Sequence, residues 1–149
     1  MSKQMILKQI GVVRSPYKES SPDRLNLKDI FSDIVIDEAL TEALDGIENF
    51  SHIIVLYWLH RATRPTHLKT HPMGRQDVPE QGLFAVRTTK RPNPIGKTTV
   101  RLLAREANIL KVQGLDAIDG SPVIDIKPYI PGYDSAAGAT VPDWVVREE

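Results

Sequence analysis

"TTVRLLAREANILKVQGLDAIDGSPVIDIKPYI", residues 98–130, contains three apolar runs divided by two turn signals. The runs are 98–106, 109–115 and 122–130. Asn108 stands in the first gap, and Asp119-Gly120 stands in the second, just before Pro122. Asn, Asp and Gly tolerate the backbone angles of a tight turn that other residues resist. The three runs therefore read as successive strands. Outward from them, LFAVRTT (83–89), DIVID (33–37) and the mixed apolar stretch Met5–Arg14 read as further strands. HIIVLYWL (52–59) is apolar without interruption and rich in β-branched and aromatic residues, the pattern of a strand buried on both faces. Some six strands with turn signals about every ten residues predict an all-β barrel or sandwich.

The remainder is connection. Residues 41–47 (TEALDGI) read as one or two helical turns, with Thr41 as N-cap and Gly46 near the end. Residues 61–81 are polar, aperiodic and carry three prolines; a loop this long inside a small domain is usually functional or mobile. The tail from Pro131 reads as irregular. No repeat or composition break divides the 149 residues, which predicts one domain over 1–149. There is no cysteine, which excludes disulfides, thiolate metal sites and thiol nucleophiles and fits a reducing cytoplasm. The start does not read as a signal peptide, and no apolar run is long enough to span a bilayer.

A formal net charge of zero hides a segregation. Residues 61–101 carry nine Lys/Arg against Asp77 and Glu80, while 1–50 carry six against nine and 102–149 four against eight. A polyanion such as RNA could use the basic middle; equally, its cations could pair with the acidic thirds.

Within that middle lies TKRPNPIGKTTV, residues 89–100. Arg91 and Asn93 each precede a proline, which pushes them toward extended geometry, and the prolines donate no backbone hydrogen bond. The stretch 91–94 should be a stiff loop outside the sheet, presenting Arg91 and Asn93, with Gly96 permitting the turn that follows. The alternative is a stiffened edge connection with no ligand. In 114–129, Asp125 and Lys127 should share one strand face while Ile124 and Ile126 share the other. They mark either a structural ion pair or a site. Asp119 reads first as a turn residue.

His60, His67 and His71 lie close in sequence, but prolines interrupt their spacing and no metalloprotease signature is present, so no metal site is expected. Neither a dinucleotide fingerprint, a P-loop nor a serine elbow occurs.

Four segments in order, IGVVRSPYK, LDGIENFSHIIVLYWLHR, GLFAVRTTKRPNPIG and LDAIDGSPVIDIKPYIP, resemble the TsaA-like (TrmO/YaeB-like) family over nearly the whole chain. The resemblance implies a mainly β, single-domain closed β-barrel with a few short helices and long loops. It implies a cytoplasmic, homodimeric tRNA (adenine-N(6))-methyltransferase using S-adenosyl-L-methionine, acting on threonylcarbamoyl-adenosine beside the anticodon of a threonine tRNA. It also implies cofactor contacts at Pro22, Asp23 and Arg24, at His60 and Arg61, at Arg87, at Lys97, and at Asp116, Ala117, Ile118 and Asp119. Many members carry a hydrophobic residue where Lys97 stands and threonine where Ser121 stands. Several bacterial members have a further C-terminal domain for which this chain shows no counterpart.

Methyl transfer from a sulfonium needs alignment and desolvation above all, and a urea-like N(6) needs a proton acceptor. Asp125 and Asp119 are the candidate bases, with Arg91 and Asn93 beside them. Lys127, Tyr129 and Arg91 are candidates for binding the substrate's carboxylate, phosphate or base. A non-catalytic RNA- or nucleotide-binding protein, and a methyltransferase acting on a small metabolite, are the competing readings.

Overall fold

The computed structural model describes residues 3–19 and 26–145. Eight strands form among the described residues: β1 (Gly11–Arg14), β2 (Phe31–Ile36), β3 (His52–Trp58), β4 (Lys69–Thr70), β5 (Gln81–Gly82), β6 (Ile95–Glu106), β7 (Ile109–Gln113) and β8 (Pro122–Pro128). Six of them close a barrel in the order β1-β2-β7-β6-β3-β8, every neighbouring pair antiparallel. β4 and β5 form a separate two-stranded ribbon.

Alternation along each strand fills the barrel. Val13, Ile34, Ile36, Ile53, Val55, Val100, Leu110, Val112 and Val123 all belong to one buried cluster. Burial of each such side chain favours folding by roughly 1.5–3 kcal/mol before entropy is counted. On β3, Ile53, Val55 and Tyr57 point in. Ile54, on the other face, is also buried, so the unbroken apolar run does have cover on both sides. The β6–β7 hairpin turns at Ala107 and Asn108, where Ala107 takes a positive φ of 54° and the Asn108 side chain donates to the Ile36 carbonyl at 2.6 Å. Arg105 straps the 38–49 region to β6, contacting Asp45 at 3.0 Å and the Thr41 carbonyl at 3.2 Å.

Four local expectations are corrected. LFAVRTT is not a strand: 83–85 make a 3-10 turn, because Leu83 and Val86 are buried while Phe84 stands out, a spacing of three rather than two. The first strand begins at Gly11 rather than Met5, and Met5, Ile6 and Leu7 are exposed. The helical turns are a 3-10 helix over Glu38–Leu44 that starts after Asp37, whose side chain makes no capping bond, with the Thr41 hydroxyl bonded back to the Glu38 carbonyl. On β8, a bulge shifts the register so that Leu56 faces Asp125 and Tyr57 faces Val123. Ile124 is thereby separated from Ile126, which packs against the core.

Candidate functional site

The barrel core holds one phenol. Tyr57 is 3% exposed, and a buried hydroxyl needs partners. It has two: it donates to the Asp116 carbonyl at 2.6 Å and lies 2.8 Å from the Thr98 hydroxyl. Burial pushes its pKa up to about 12; the Thr98 bond opposes that shift, the Asp116 carboxylate adds to it and Arg87 opposes it. Asp116 and Arg87 are therefore electrostatic neighbours of the Tyr57 ring. Gly96 makes room for that ring. It pairs with Tyr57 across β3 and β6, and a Cβ there would fall 2.6 Å from the ring Cζ. The expected turn at Gly96 is thus corrected: Gly96 is a strand residue without positive φ, and the need for glycine is close approach.

The segment 115–120 then wraps this end of the barrel. Leu115 and Ala117 are buried; Asp119 and Gly120 form the tight turn expected of them, with Gly120 at φ 83°. A Cβ on Gly120 would lie 3.8 Å from His60 Nε2, so the turn following β3 faces this loop. The backbone N–H groups of Asp116, Ala117 and Ile118 find no acceptor among the described residues, although Ala117 is only 2% exposed. Unspent donors in a partly buried loop are what a bound nucleoside or carboxylate satisfies. The Asp116 carboxylate, its pKa raised by desolvation, belongs to this segment, the His60 imidazole faces its Gly120 end, and the Arg87 charge acts on Tyr57. This donor set fits the sulfonium nucleoside that the resemblance implies.

Asp119 is committed elsewhere. One oxygen accepts from the Ser15 N–H at 2.9 Å and the other from Lys18 Nζ at 3.1 Å, and the Asp119 N–H donates to the Tyr17 carbonyl at 2.7 Å. The Ser15 and Lys18 bonds hold its pKa below the ordinary carboxylate value. It clasps the loop after β1 to the 115–120 turn, beside a cleft of about 640 Å³ lined by Arg14, Lys18, Asp33 and Lys111.

The proline kink leaves the sheet as expected, but it bends at 92–93 instead of running extended, with the Ile95 N–H returning to the Asn93 carbonyl at 2.8 Å. Arg91 turns inward onto its own loop: Nη1 donates to the Val86 carbonyl at 2.7 Å and the Thr88 carbonyl at 3.3 Å. Asn93 lines an apolar groove of about 420 Å³ with Trp58, Ile95, Ile124 and the 5–9 segment.

Not all expected residues converge. Asp125 and Lys127 do share a face and pair at 3.0 Å, but it is the outer face, half-exposed, opposite to the one Tyr57 occupies. Tyr129 packs edge-on against His52, its N–H on the His52 carbonyl, at the far end of β3. About 17 Å of strand separates His52 from Tyr57 at ~3.4 Å per residue. Lys97 is exposed on the face of β6 opposite Thr98, and Arg61 is exposed in the turn after β3. Pro22, Asp23 and Arg24 lie outside the described residues. His71 bonds the Val78 carbonyl and approaches Glu80 at 3.7 Å. Among the described residues no group of three or more His, Asp or Glu is arranged to hold a metal.

The basic middle is not neutralised by the acidic thirds. Of its nine cations only Arg75 forms an ion pair among the described residues, and its partner, Asp77, belongs to the same segment. Tyr57, Thr98, Tyr17 and Lys18 escaped the sequence reading. The available signal was a single hydroxyl in an otherwise apolar run.

The comparisons agree with this geometry. A family described as the tRNA-methyltransferase O N-terminal domain matches residues 12–135. An S-adenosyl-L-methionine-binding protein of Archaeoglobus fulgidus is 48% identical over 87% of this chain and 93% of its own. A second, probable S-adenosyl-L-methionine-binding protein of that organism is 46% identical, but this chain spans only 37% of its length. The tRNA (adenine(37)-N6)-methyltransferase of Escherichia coli is 37% identical over 89% of this chain and 60% of its own. The crystal structure of TrmO from Pseudomonas aeruginosa superposes with a TM-score of 0.75 at 34% identity, over 93% of this chain and 62% of that one. With the barrel, the kinked RPNPIG loop and the LDAIDG turn in place, the chain belongs to the tRNA-methyltransferase O N-terminal domain family.

Proposed function

We propose that this domain binds S-adenosyl-L-methionine and transfers its methyl group to N(6) of an adenine in tRNA. The finer reading is threonylcarbamoyl-adenosine beside the anticodon of a threonine tRNA, by a cytoplasmic homodimer. The observation that carries the proposal is the convergence at Tyr57: His60 and the 116–119 segment meet at one end of the barrel, Arg87 acts there through its charge on Tyr57, and the N–H groups of 116–118 have no acceptor among the described residues. The names of the Archaeoglobus and Escherichia relatives support cofactor and acceptor respectively.

When bound, the sulfonium supplies the electrophilic methyl and leaves as a neutral thioether. The chain supplies position and a proton acceptor. The N–H groups of 116–118 and the Arg87 guanidinium suit the cofactor's ribose or carboxylate. The N(6) proton would have to pass to an acceptor on the chain. Asp119, with both oxygens occupied and a lowered pKa, is poorly placed to take that proton, and Asp125 faces away. Asp116, whose pKa desolvation raises, is the better base.

The test is labelled S-adenosyl-L-methionine with tRNA carrying the threonylcarbamoyl group, and unmodified tRNA as control. No incorporation into the modified tRNA from the same organism overturns the finer reading. Failure to bind either the cofactor or its demethylated product in calorimetry overturns the whole proposal and leaves a plain RNA-binding module. Cofactor binding with no salt-sensitive tRNA affinity points to a small metabolite as acceptor.

A further inference from the structure

Phe84 is 83% exposed, yet its position is rigidly set. It is the middle residue of the 3-10 turn Leu83–Ala85, and its neighbours Leu83 and Val86 are both buried. The Leu83 N–H donates to the Leu68 carbonyl at 3.0 Å, which extends the β4–β5 ribbon by one pair and brings Leu68, 80% exposed, beside the turn. Two large apolar side chains thus stand out from a braced ribbon. Such a platform needs a cover.

Charge indicates what that cover is. Lys69 is paired with Gly82 on the ribbon, Arg87 follows Phe84 by three residues, and Arg64 and Lys90 flank the two arms. None of these cations has a carboxylate partner among the described residues; the salt bridges lie elsewhere. A second copy of this face would bring like charges together, whereas a nucleic acid supplies phosphates for the cations and an unpaired base for the ring. We propose that Phe84, with Leu68 exposed on the adjoining arm, is the stacking platform for an unpaired base of a single-stranded RNA loop, and so positions the substrate loop beside the Tyr57 site. This rests on the tRNA reading above and adds to it a specific positioning residue. Arg87 joins the two sites, acting on Tyr57 from one side and following the Phe84 turn on the other.

The experiment compares the full chain with Phe84→Ala and Phe84→Trp. Affinity for tRNA is read by fluorescence anisotropy across a salt series, S-adenosyl-L-methionine affinity by calorimetry, and mass by light scattering. The expected result is an about tenfold loss of tRNA affinity in Phe84→Ala, recovery in Phe84→Trp, and an unchanged salt slope, since no phosphate contact is lost. Cofactor affinity, melting temperature and mass should match those of the parent. Unchanged tRNA affinity and KM in Phe84→Ala, while the parent methylates tRNA, overturns the platform and leaves the functional reading intact. A halved mass in Phe84→Ala overturns it in favour of a subunit interface. A parent that binds tRNA through Phe84 without methylating it supports the platform while the catalytic reading fails.

Discussion

The Tyr57 hydroxyl donates to the Asp116 carbonyl across 2.6 Å, tying the last inward residue of β3 to a loop almost sixty residues later in the chain. That bond fixes the peptide plane between Asp116 and Ala117, so the Ala117 N–H, opposite the bonded carbonyl, is held facing away from the Tyr57 hydroxyl. The same bond couples stability to site geometry.

Tyr57→Phe should therefore lower stability by about 1–2 kcal/mol, because the Asp116 carbonyl loses its donor inside the protein. It should also weaken S-adenosyl-L-methionine binding measured by calorimetry, although no atom of the ring need touch the ligand. Alkaline titration gives a second readout. The folded pKa, near 12, exceeds the reference value of 10.0, so the stabilisation is complete below about 10 and is lost as pH rises toward 12. The loss amounts to roughly 2–3 kcal/mol for a two-unit shift. Urea midpoints followed against pH should show this limb in the parent and a flatter one in Tyr57→Phe.

Gly96→Ala should cost about 1–3 kcal/mol by overpacking, since the methyl would enter the Tyr57 ring. The cost should shrink in a Tyr57→Val background, where the ring is gone. A double-mutant cycle on thermal melts checks this: strict additivity would show that Gly96 matters for some reason other than the ring.

Arg91→Ala and Asn93→Ala should behave differently despite being two residues apart. Arg91 supports carbonyls of the 86–88 loop through charged hydrogen bonds, so its removal should lower stability by about 1–3 kcal/mol and also raise the KM for tRNA by loosening the loop that carries Arg87. Arg91→Lys should rescue part of the loss, because both bonds come from the single nitrogen Nη1 and an ammonium carries donors enough for both, though on a shorter stem. Asn93 is exposed and its backbone carbonyl, not its side chain, closes the turn, so Asn93→Ala should melt with the parent. Equal melting temperatures for Arg91→Ala and the parent would mean the loop does not depend on this brace.

Why some of this was legible and some not follows from what each signal encodes. The alternation in β7, the Asp119-Gly120 turn and the pairing of Asp125 with Lys127 are local, with partners a few residues apart, and they survive into the structure. LFAVRTT misled because Leu83 and Val86 are buried against a ribbon that forms from the polar 61–81 loop, which has no period of its own. Arg91 read as presented outward because its acceptors are backbone carbonyls, invisible to residue type. Gly96 read as a turn because the ring it accommodates lies thirty-nine positions away in sequence. Tyr129 and Asp119 both belong to one motif of sixteen residues, yet strand extension carries them to different ends of the barrel.

Asp119 makes the stability of the clasp depend on acid pH. Its carboxylate accepts from the Ser15 N–H and from Lys18, which lowers its folded pKa below the reference value of 3.8. A depressed carboxylate pKa adds stability that is present above the unfolded value and is lost as pH falls through the folded one. The difference in melting temperature between the parent and Asp119→Asn should accordingly be constant from neutral pH down to about 4 and close in more acid solution. Lys18→Gln should reproduce only part of the difference, because the Ser15 N–H still binds the carboxylate. If the gap persisted unchanged into strong acid, the clasp would depend on the shape of the side chain rather than on its charge. Since the clasp joins the loop after β1 to the 115–120 turn, Asp119→Asn should also weaken cofactor binding at neutral pH, where the fold itself remains intact.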